Sequence, residues 1–320
     1  MHHGNGTPNL VGISDAFRHV LALARRVVEV RTTVLLQGPS GTGKELLARM
    51  IHDQGPRRSA SFVAVNCGAF ADGLLTSELF GHRRGAFTGA VADRPGIFEV
   101  AAGGTVFLDE IAEASPSAQV HMLRVLQEGE IHPVGATHAR RVDVRVIAAT
   151  NRDLRQEVSR GRFREDLFFR LNVFPIRIPP LRERREDIPP LIEHFLRLHG
   201  ERLDRRVAGI DRHALDALTR LDLPGNVREL SHVIERALLL CAPGGWLTTA
   251  ELFDELVDLP PTEPPSSLEA DVGRFERERI RLALDRCDGN RTHAARELGL
   301  TYRGLLKKMH RLGLRPGAGS

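Results

Sequence analysis

Lysine is almost absent from this chain. Of its 45 basic residues, only Lys44, Lys307 and Lys308 are lysines, so the other 42 are arginines. Tryptophan and tyrosine each occur once. Because lysine is so rare, a lysine at a position that requires a compact ammonium group indicates a specific role.

Cysteine is also scarce, and long apolar runs are missing. The three cysteines have neither metal-binding nor redox spacing, which excludes a disulfide scaffold and predicts small buried side chains at Cys67, Cys241 and Cys287. The 14 histidines show no zinc-ligand spacing either. No apolar run approaches the ~18 residues of a membrane helix, and no signal-peptide pattern opens the chain. We therefore expect a soluble, cytoplasmic protein.

One of the three lysines stands in a glycine-rich loop. The sequence TTVLLQ-GPSGTGKE-LLARMI places an apolar, β-branched strand before the loop and helical apolar spacing after it. In that context the pattern G-x-x-x-x-G-K predicts a phosphate-binding loop, with backbone N–H groups and Lys44 around the phosphates of ATP. The predicted nucleotide-binding residues are Gly38, Pro39, Ser40, Gly41, Thr42, Gly43, Lys44 and Glu45.

The residue after the lysine departs from the pattern. Ser or Thr normally binds Mg²⁺ there, and this chain has Glu45. A second buried strand, GGTVFLDE, ends in two carboxylates. We predict Asp109 as the Mg²⁺ ligand, acting together with the nucleotide, and Glu110 as the general base that activates water.

Between these two motifs lies the hexapeptide GAFTGA, which consists of Gly85, Ala86, Phe87, Thr88, Gly89 and Ala90. Two glycines and one large apolar side chain cannot form a core. An isolated hexapeptide of this kind is typical of a surface turn. Inside a nucleotide-hydrolysing domain, it favours a loop that contacts a partner.

The order of the phosphate loop, GAFTGA and LDE resembles the AAA+ domain of sigma-54-dependent transcriptional activators, from about Val11 to the C-terminus. The resemblance implies a ring-forming ATPase, with a hexamer as the family expectation, that remodels sigma-54 RNA polymerase from closed to open complexes. It implies that GAFTGA contacts sigma-54. It also implies a switch asparagine at Asn66, whose amide can hold the Glu110 carboxylate until the nucleotide state changes. Further implied residues are sensor I at Thr150, arginine fingers at Arg164 and Arg170, and sensor II at Arg228.

Two residues depart from the family pattern. Pro39 stands where Glu is usual in the phosphate loop, and Leu223 stands where an aromatic residue usually precedes PGNVREL. The Arg-rich segment RERRED (182–187) is typical of solvated charge, and we assign it no role.

About ten residues precede the region of resemblance, too few for a regulatory domain. We therefore expect ATPase activity that needs no phosphorylation or inducer, unless a separate protein restrains it.

The alternation of strand and helix patterns, and the breaks between them, predicts an α/β fold with a mostly parallel sheet, a helical lid and a small all-α domain. Strands are expected near 33–37, 62–66, 105–109, 144–149 and 174–178. The predicted domains are an α/β core at 1–180, a lid at 181–258, a proline-rich linker at 259–267 and a helix-turn-helix domain at 268–320.

The C-terminal segment is strongly basic. Residues 291–320 hold seven Lys or Arg and one acid, a charge of +6, while the whole chain is +4. Charge localised in this way indicates double-stranded DNA as a partner. The stretch resembles a Fis-type domain, with Ala294, Ala295 and Leu298 facing Leu305, Leu306 and Met309. The predicted groove contacts are Thr301, Tyr302, Arg303 and Lys307, and the predicted phosphate contacts are Lys308 and Arg311.

Two other functions are alternatives to this one. An AAA+ regulator acting on other forms of RNA polymerase would have no use for GAFTGA. A DNA-remodelling motor, such as a branch-migration ATPase, favours basic pore loops, whereas the tip here is apolar. Whether the ATP-transition-state form of the protein captures isolated sigma-54 would distinguish these three functions.

Overall fold

The computed structural model describes residues 10–70, 72–253, 280, 283–284, 287 and 290–311. The chain forms two compact units, Met1–Asp254 and Glu255–Ser320. Within the described residues, no helix is long and apolar enough to span a membrane. The predicted linker at 259–267 and the predicted start of the last domain at 268 lie outside the described residues.

The first unit is built on a five-stranded sheet in which every neighbouring pair is parallel. The strands are β1 (Val34–Gln37), β2 (Phe62–Asn66), β3 (Thr105–Asp109), β4 (Arg145–Thr150) and β5 (Phe174–Arg177), in the spatial order β2-β3-β4-β1-β5. All six residues of β4 are buried because helices cover both faces of the sheet. The strand predictions are therefore confirmed to within one residue at each end.

Helices surround this sheet and then form a separate bundle. In the part of the chain that the structure describes, seven helices accompany the sheet: α1 (Asp15–Arg26), α2 (Lys44–Asp53), α3 (Asp72–Phe80), α4 (Ile97–Val100), α5 (Pro116–Glu128), α6 (Leu154–Ser159) and α7 (Glu165–Leu171). The bundle contains α8 (Ile188–Leu203), α9 (Arg212–Arg220), α10 (Asn226–Leu240) and α11 (Thr249–Phe253). Single-turn 3-10 helices occur at Cys67–Ala69, Ile111–Glu113, Leu181–Glu183 and Arg185–Asp187.

Among the described residues, three short strand pairs lie outside the main sheet. Two are antiparallel and join Gly81–His82 to Arg94–Pro95 and Glu130–Ile131 to Arg140–Arg141. The third is parallel and joins Gly209–Ile210 to Trp246–Leu247 in the bundle. The first pair forms the base of the GAFTGA loop and so fixes where that loop leaves the domain.

Local sequence explains where the helices start and stop. Helix α5 begins after Ser115, whose hydroxyl accepts a hydrogen bond from the Ala118 N–H at 3.4 Å, and Pro116 occupies its first turn. It ends at Gly129, which has a left-handed φ of 68°. In the bundle, the Asp211 carboxylate caps α9 by accepting from the Ala214 N–H at 2.8 Å. These capping side chains define the helix ends that the apolar pattern alone leaves uncertain.

Each layer buries its own core. Apolar side chains of α3, α5 and α7 pack on one face of the sheet, whereas α1 and α2 pack on the other. The bundle has a distinct core in which α8 and α10 contribute Leu191, Ile192 and Ile234. The bundle is therefore a second folded layer, and its residue Asn226 reaches the glycine-rich loop by donating to Ser40 O at 2.9 Å.

The second unit contains α12 (Arg291–Glu297) and α13 (Tyr302–Arg311), joined through Gly299 at φ 67°. Its described core includes Ile280, Ala283, Ala294, Ala295, Leu305 and Met309, and Leu298 packs against it. This arrangement confirms the predicted helical pair. Leu306 is half-buried and is not among the described residues of this core.

Candidate nucleotide site and partner loop

The glycine-rich loop connects β1 to α2 at the carboxyl edge of the sheet. Gly41 and Gly43 have left-handed φ angles of 75° and 99°, which strain any other residue. Helix α2 begins at Lys44, and no side chain caps it. Its first N–H groups therefore remain available for an anion.

Five consecutive carbonyl groups of this loop, from Gly38 to Thr42, accept hydrogen bonds. Two donors come from the loop and its helix: Lys44 Nζ donates to Gly38 O and Pro39 O, and Thr42 Oγ1 also donates to Pro39 O. The other three come from distant segments: Asn226 Nδ2 donates to Ser40 O, the Arg228 N–H to Gly41 O and Arg184 Nη2 to Thr42 O. All six distances are 2.9–3.3 Å. In a trans peptide, the N–H points away from the carbonyl. Fixing the carbonyls therefore orients the N–H groups into a nest of the kind that binds phosphate.

Lys44 lies inside this nest. Its side chain is buried, with the ammonium held 2.9 Å from Gly38 O and 3.0 Å from Pro39 O. Burial lowers the pKa of Lys44, whereas the nearby carboxylates of Asp109 and Glu110 oppose that shift. Phosphate groups entering the loop would give this buried ammonium an anionic partner.

The predicted carboxylates end β3 beside Asn66. The sheet register places Asn66 directly opposite Asp109. Asp109 Oδ1 accepts a hydrogen bond from the Glu110 N–H at 2.9 Å, and Glu110 has a left-handed φ of 51°. This backbone turn lies at the same edge of the sheet as the glycine-rich loop.

Asn66 contacts the following turn instead of Glu110. Asn66 Oδ1 accepts from the Gly68 N–H at 2.8 Å, and among the described residues Asn66 and Glu110 are not hydrogen-bonded to each other. Glu110 nevertheless approaches the same turn, since a Cβ added at Gly68 would lie 2.9 Å from Glu110 Oε2. The side-chain oxygens of Asn66 and Glu110 therefore both lie close to Gly68.

The predicted sensor threonine ends β4. Thr150 is fully buried, and its hydroxyl accepts from the Arg152 N–H at 3.0 Å. The Thr150 carbonyl also accepts from the Gly38 N–H at 3.1 Å, which joins β4 to the start of the phosphate loop. The hydroxyl is thus satisfied within its own turn, close to the nucleotide loop.

The two predicted finger arginines lie on the surface around α7. Arg164 forms a bidentate pair with Asp166, with nitrogen–oxygen distances of 3.0 and 2.7 Å. Arg170 is exposed, and no acidic side chain of the described residues forms an ion pair with it. Phe169, next to Arg170, is also exposed. An exposed cation beside an exposed aromatic ring suits contact with another subunit.

The bundle approaches the phosphate loop through the start of α10. Arg228 Nη1 donates to Ser40 Oγ at 3.1 Å, and a side chain at Gly41 would clash with Gly225 O. Buried Asn226 accepts a hydrogen bond from the Leu181 N–H at 2.8 Å while donating to Ser40 O. Leu223, which replaces the usual aromatic residue, is buried in the bundle core.

The interpretation of residues 182–187 as solvated charge was wrong for two residues. Arg184 is 3% exposed and Asp187 is fully buried, and Arg184 Nη1 lies 3.5 Å from Asp187 Oδ2. Composition could not show this because exposed Arg182 and half-buried Arg185 occur in the same run. The pairing of Arg and Asp at a spacing of three residues, followed by the apolar start of α8, was the available signal.

The acidic groups at this edge fit a metal that arrives with nucleotide. No cluster of three or more His, Cys, Asp or Glu in the described part of the chain could hold a metal unaided. Asp109 stands at the strand end beside the nest, and Glu45 is exposed on the first turn of α2. A Mg²⁺ ion held by one carboxylate, phosphate oxygens and water matches this donor set.

The GAFTGA loop projects from the strand pair at 81–82 and 94–95. Its ends are joined by a bond from the Gly85 N–H to Ala90 O at 2.8 Å, and Gly85 and Gly89 have left-handed φ angles. Phe87 is 40% exposed, and its ring packs edge-on against His82 at a centroid distance of 5.0 Å. Phe87 also borders a cavity of about 870 Å³ between α3, α5 and residues 132–136.

Acidic Asp93 holds the base of this loop. It forms an ion pair with Arg83 and accepts from the Arg84 N–H at 2.8 Å. The backbone hydrogen bond from Arg84 and the bond from Arg83 hold the pKa of Asp93 below its ordinary value. Thr88 at the tip is exposed, whereas Ala90 is buried at the return to the domain.

The predicted DNA contacts lie at the start of α13 and along its length. Thr301 precedes the helix, and its hydroxyl accepts from the Gly304 N–H at 3.1 Å. Tyr302, Arg303 and Lys307 are exposed, and Lys308 is half-buried. The side chain of Arg311 lies outside the described part of the chain.

The reactivity of Cys67, which follows β2, tests whether this edge of the sheet is buried as described. It is 1% exposed, and burial, reinforced by the charges of Asp109 and Glu110, raises the pKa of its thiol to about 12. We expect Cys67 to resist iodoacetamide at pH 8, because alkylation needs an accessible thiolate. Cys287 is half-buried, so the prediction that it is buried was wrong, and it should react first. Mass spectrometry of the native protein checks this, with urea-unfolded protein as the control, and rapid native alkylation of Cys67 would contradict it.

The parallel sheet, the phosphate nest and the helical bundle beside it define an AAA+ ATP-binding protein. The family described as the sigma-54 interaction domain matches residues 10–177. The AAA+ ATPase lid domain matches residues 182–268, and the Fis family of bacterial regulatory proteins matches residues 272–312. The chain belongs to the family of sigma-54-dependent transcriptional activators.

Individual relatives agree with this assignment. The transcriptional regulatory protein ZraR of Klebsiella oxytoca is 47% identical over 304 residues, 94% of this chain and 68% of ZraR. The Nif-specific regulatory protein of Klebsiella pneumoniae is 49% identical over 305 residues, 94% of this chain and 58% of that protein. The crystal structure of Brucella abortus NtrX with ADP gives a TM-score of 0.72 at 34% identity, covering 96% of this chain and 69% of NtrX. The resemblance inferred from the motifs is confirmed.

Proposed function

We propose that this chain hydrolyses ATP to remodel sigma-54 RNA polymerase from closed to open complexes while bound to upstream DNA. The observation that carries the proposal is the phosphate nest facing Asp109 and Glu110, in the same unit as the exposed GAFTGA loop. The first feature suits hydrolysis, and the second suits contact with a partner.

Hydrolysis is assigned to residues at the carboxyl edge of the sheet. The nest and Lys44 bind the phosphates, and Glu110 orients and deprotonates the attacking water. Asp109 would hold Mg²⁺, which neutralises phosphate charge when bound with ATP. Arg228, already 3.1 Å from Ser40 Oγ, would contact the nucleotide from the bundle.

The remaining part of the active site would come from a second subunit. Arg170 is exposed on α7, and Arg164 is occupied by Asp166 within its own chain. An arginine finger stabilises charge that develops on the transferred phosphoryl group. We therefore propose a ring, with a hexamer as the expected form, in which these arginines reach the neighbouring nucleotide.

A short path connects the carboxylates to the partner loop. Asn66 Oδ1 accepts from the Gly68 N–H, and the Glu110 carboxylate lies next to Gly68, where it would meet an added Cβ at 2.9 Å. Helix α3 follows this turn and leads directly to the strand pair that carries GAFTGA. A change at Glu110 on hydrolysis would shift α3 and thereby raise or lower Phe87 and Thr88.

The basic helix α13 supplies the DNA-binding part of the proposal. Tyr302, Arg303 and Lys307 are the proposed groove contacts, with Thr301 at the start of the helix, and Lys308 and Arg311 would contact phosphates. DNA binding concentrates the ATPase near its promoter, so an effect of these residues should depend on upstream sites and on salt.

Replacing Phe87 or Thr88 with alanine should separate hydrolysis from promoter opening. Both side chains lie on an exposed tip away from the phosphate nest, so truncation should change the free energy of unfolding by under about 1 kcal/mol. The variants should hydrolyse ATP and bind DNA normally, yet fail to retain sigma-54. ATPase rate and open-complex formation are measured on the same preparation.

Val91→Ala is the matched control, since Val91 is 84% exposed just beyond the loop. It should leave both activities unchanged. Parallel loss of hydrolysis and promoter opening in the Phe87 and Thr88 variants would make the loop a structural element. Retention of both activities would place the sigma-54 contact elsewhere.

A further inference from the structure

A buried arginine holds the outer side of the phosphate loop. Arg184 Nη2 donates to Thr42 O at 3.1 Å, and its guanidinium lies 4.7 Å from the centre of the Phe17 ring. The residue precedes the 3-10 turn before α8 and so belongs to the connection between sheet and bundle. Burying a guanidinium is costly unless it is paired and hydrogen-bonded, which makes its position informative.

The bonded carbonyl belongs to the peptide that joins Thr42 to Gly43. Because this peptide is trans, holding its carbonyl toward Arg184 turns the Gly43 N–H in the opposite direction, into the phosphate nest. A cation on the carbonyl also polarises the peptide and strengthens its N–H as a donor. Gly43 has a left-handed φ of 99°, a backbone conformation that glycine adopts readily.

Asp187 fixes the orientation of Arg184 and joins it to the start of α1. Its carboxylate lies 3.5 Å from Arg184 Nη1 and accepts from the Ile13 N–H at 2.6 Å, the Ser14 N–H at 2.7 Å and Ser14 Oγ at 2.9 Å. The guanidinium is therefore held on three sides, by Asp187, Phe17 and Thr42. Because the guanidinium is fixed by these contacts, its hydrogen bond also fixes the position of the Thr42 carbonyl.

We infer that Arg184 is a positioning residue for nucleotide binding: held by Asp187, it presets the Thr42–Gly43 peptide so that the Gly43 N–H faces the phosphates. The inference rests on the proposed ATP site. Arg184 contacts no nucleotide atom and acts through the loop. Its loss should therefore weaken binding of the phosphate chain in the intact domain, beyond any loss of stability.

The test compares Arg184→Gln with Arg145→Gln in the full chain. Arg145 is a matched control because it is also buried and donates to the backbone carbonyls of Val27 and Val28, at the opposite edge of the sheet from the phosphate loop. Calorimetry with ADP and hydrogen–deuterium exchange of residues 38–47 without nucleotide are the measurements, alongside the thermal midpoint of each variant.

We expect R184Q to weaken ADP binding about tenfold, the size of one charge-assisted hydrogen bond, and to speed exchange in the loop. R145Q should change ADP affinity by less than about twofold at a similar loss of thermal midpoint. Equal ADP affinity in R184Q and wild type, or equal weakening in both variants, would overturn the inference. Failure of the wild-type chain to bind ADP would refute the proposed ATP site itself.

A conservative variant decides the case if R184Q does not fold. Arg184→Lys keeps the charge but cannot hold Thr42 O and Asp187 with one rigid fork. We expect it to fold and to bind ADP at least threefold more weakly than wild type, whereas R145K binds normally. Wild-type affinity in R184K would mean that Arg184 acts through stability alone and would overturn the inference.

Discussion

Replacing Glu110 with glutamine is expected to abolish ATP turnover while ATP binding is retained. The amide keeps the size and shape of the side chain beside Gly68 but cannot accept a proton from water. Loss of a general base typically lowers turnover by about 10²–10⁴-fold. The nest, Lys44 and Asp109 are untouched, so affinity for ATP should stay within about threefold of wild type.

Lys44→Ala serves as the contrasting variant. It removes the donor to Gly38 O and Pro39 O together with the buried cation, so it should lose nucleotide binding itself. Single-turnover hydrolysis and equilibrium binding of ATP separate the two effects. If Glu110→Gln hydrolyses ATP at close to the wild-type rate, the assignment of Glu110 as the base is wrong.

Arg164→Ala or Arg170→Ala is expected to suppress turnover by about 10³-fold or more, the size of effect known for arginine fingers. Neither change touches the phosphate nest of its own chain, so ATP affinity of the isolated subunit should persist. The two variants differ in one respect. Arg164→Ala leaves the Asp166 carboxylate without its bidentate partner, whereas Arg170→Ala breaks no ion pair within the described residues.

Mixing subunits tests whether these arginines act in a neighbouring site. Subunits with Arg170→Ala retain a phosphate loop, and subunits with Lys44→Ala retain the fingers, so mixed rings should recover part of the activity. Arg58→Ala, a change of another exposed arginine on the loop before β2, is the control and should hydrolyse ATP normally. Absence of recovery in rings shown to be mixed would count against a shared site.

Much of the fold could be predicted because local pattern and final environment agree. The apolar run before Asp109 became β3, buried on both faces, and the Gly-rich loop lies between a strand and a helix as its pattern indicates. The phosphate loop could be located for the same reason. Its glycines and single lysine are demanded by backbone geometry and phosphate charge, which depend little on distant residues.

The surroundings of the loop could not be predicted in this way. Asn226 and Arg184 are separated from Ser40 and Thr42 by more than 140 residues, yet their side chains bond to the loop carbonyls. Arg184 also lies among arginines that face solvent, so its type and neighbours in sequence do not distinguish it. Burial of a charge depends on which segments meet in space, and that was decided by packing.

The sequence by itself determined the class of fold, the position of the phosphate loop and the glycine-based tip at GAFTGA, because each rests on local conformational preference and short-range spacing. Only the tertiary structure decided that Asn66 binds the Gly68 turn, that Arg164 is paired with Asp166, and that Arg184 and Asp187 are buried behind the phosphate loop. Each of these side chains has several possible hydrogen-bond or ion-pair partners in the sequence, and the packing of distant segments determines which one it meets.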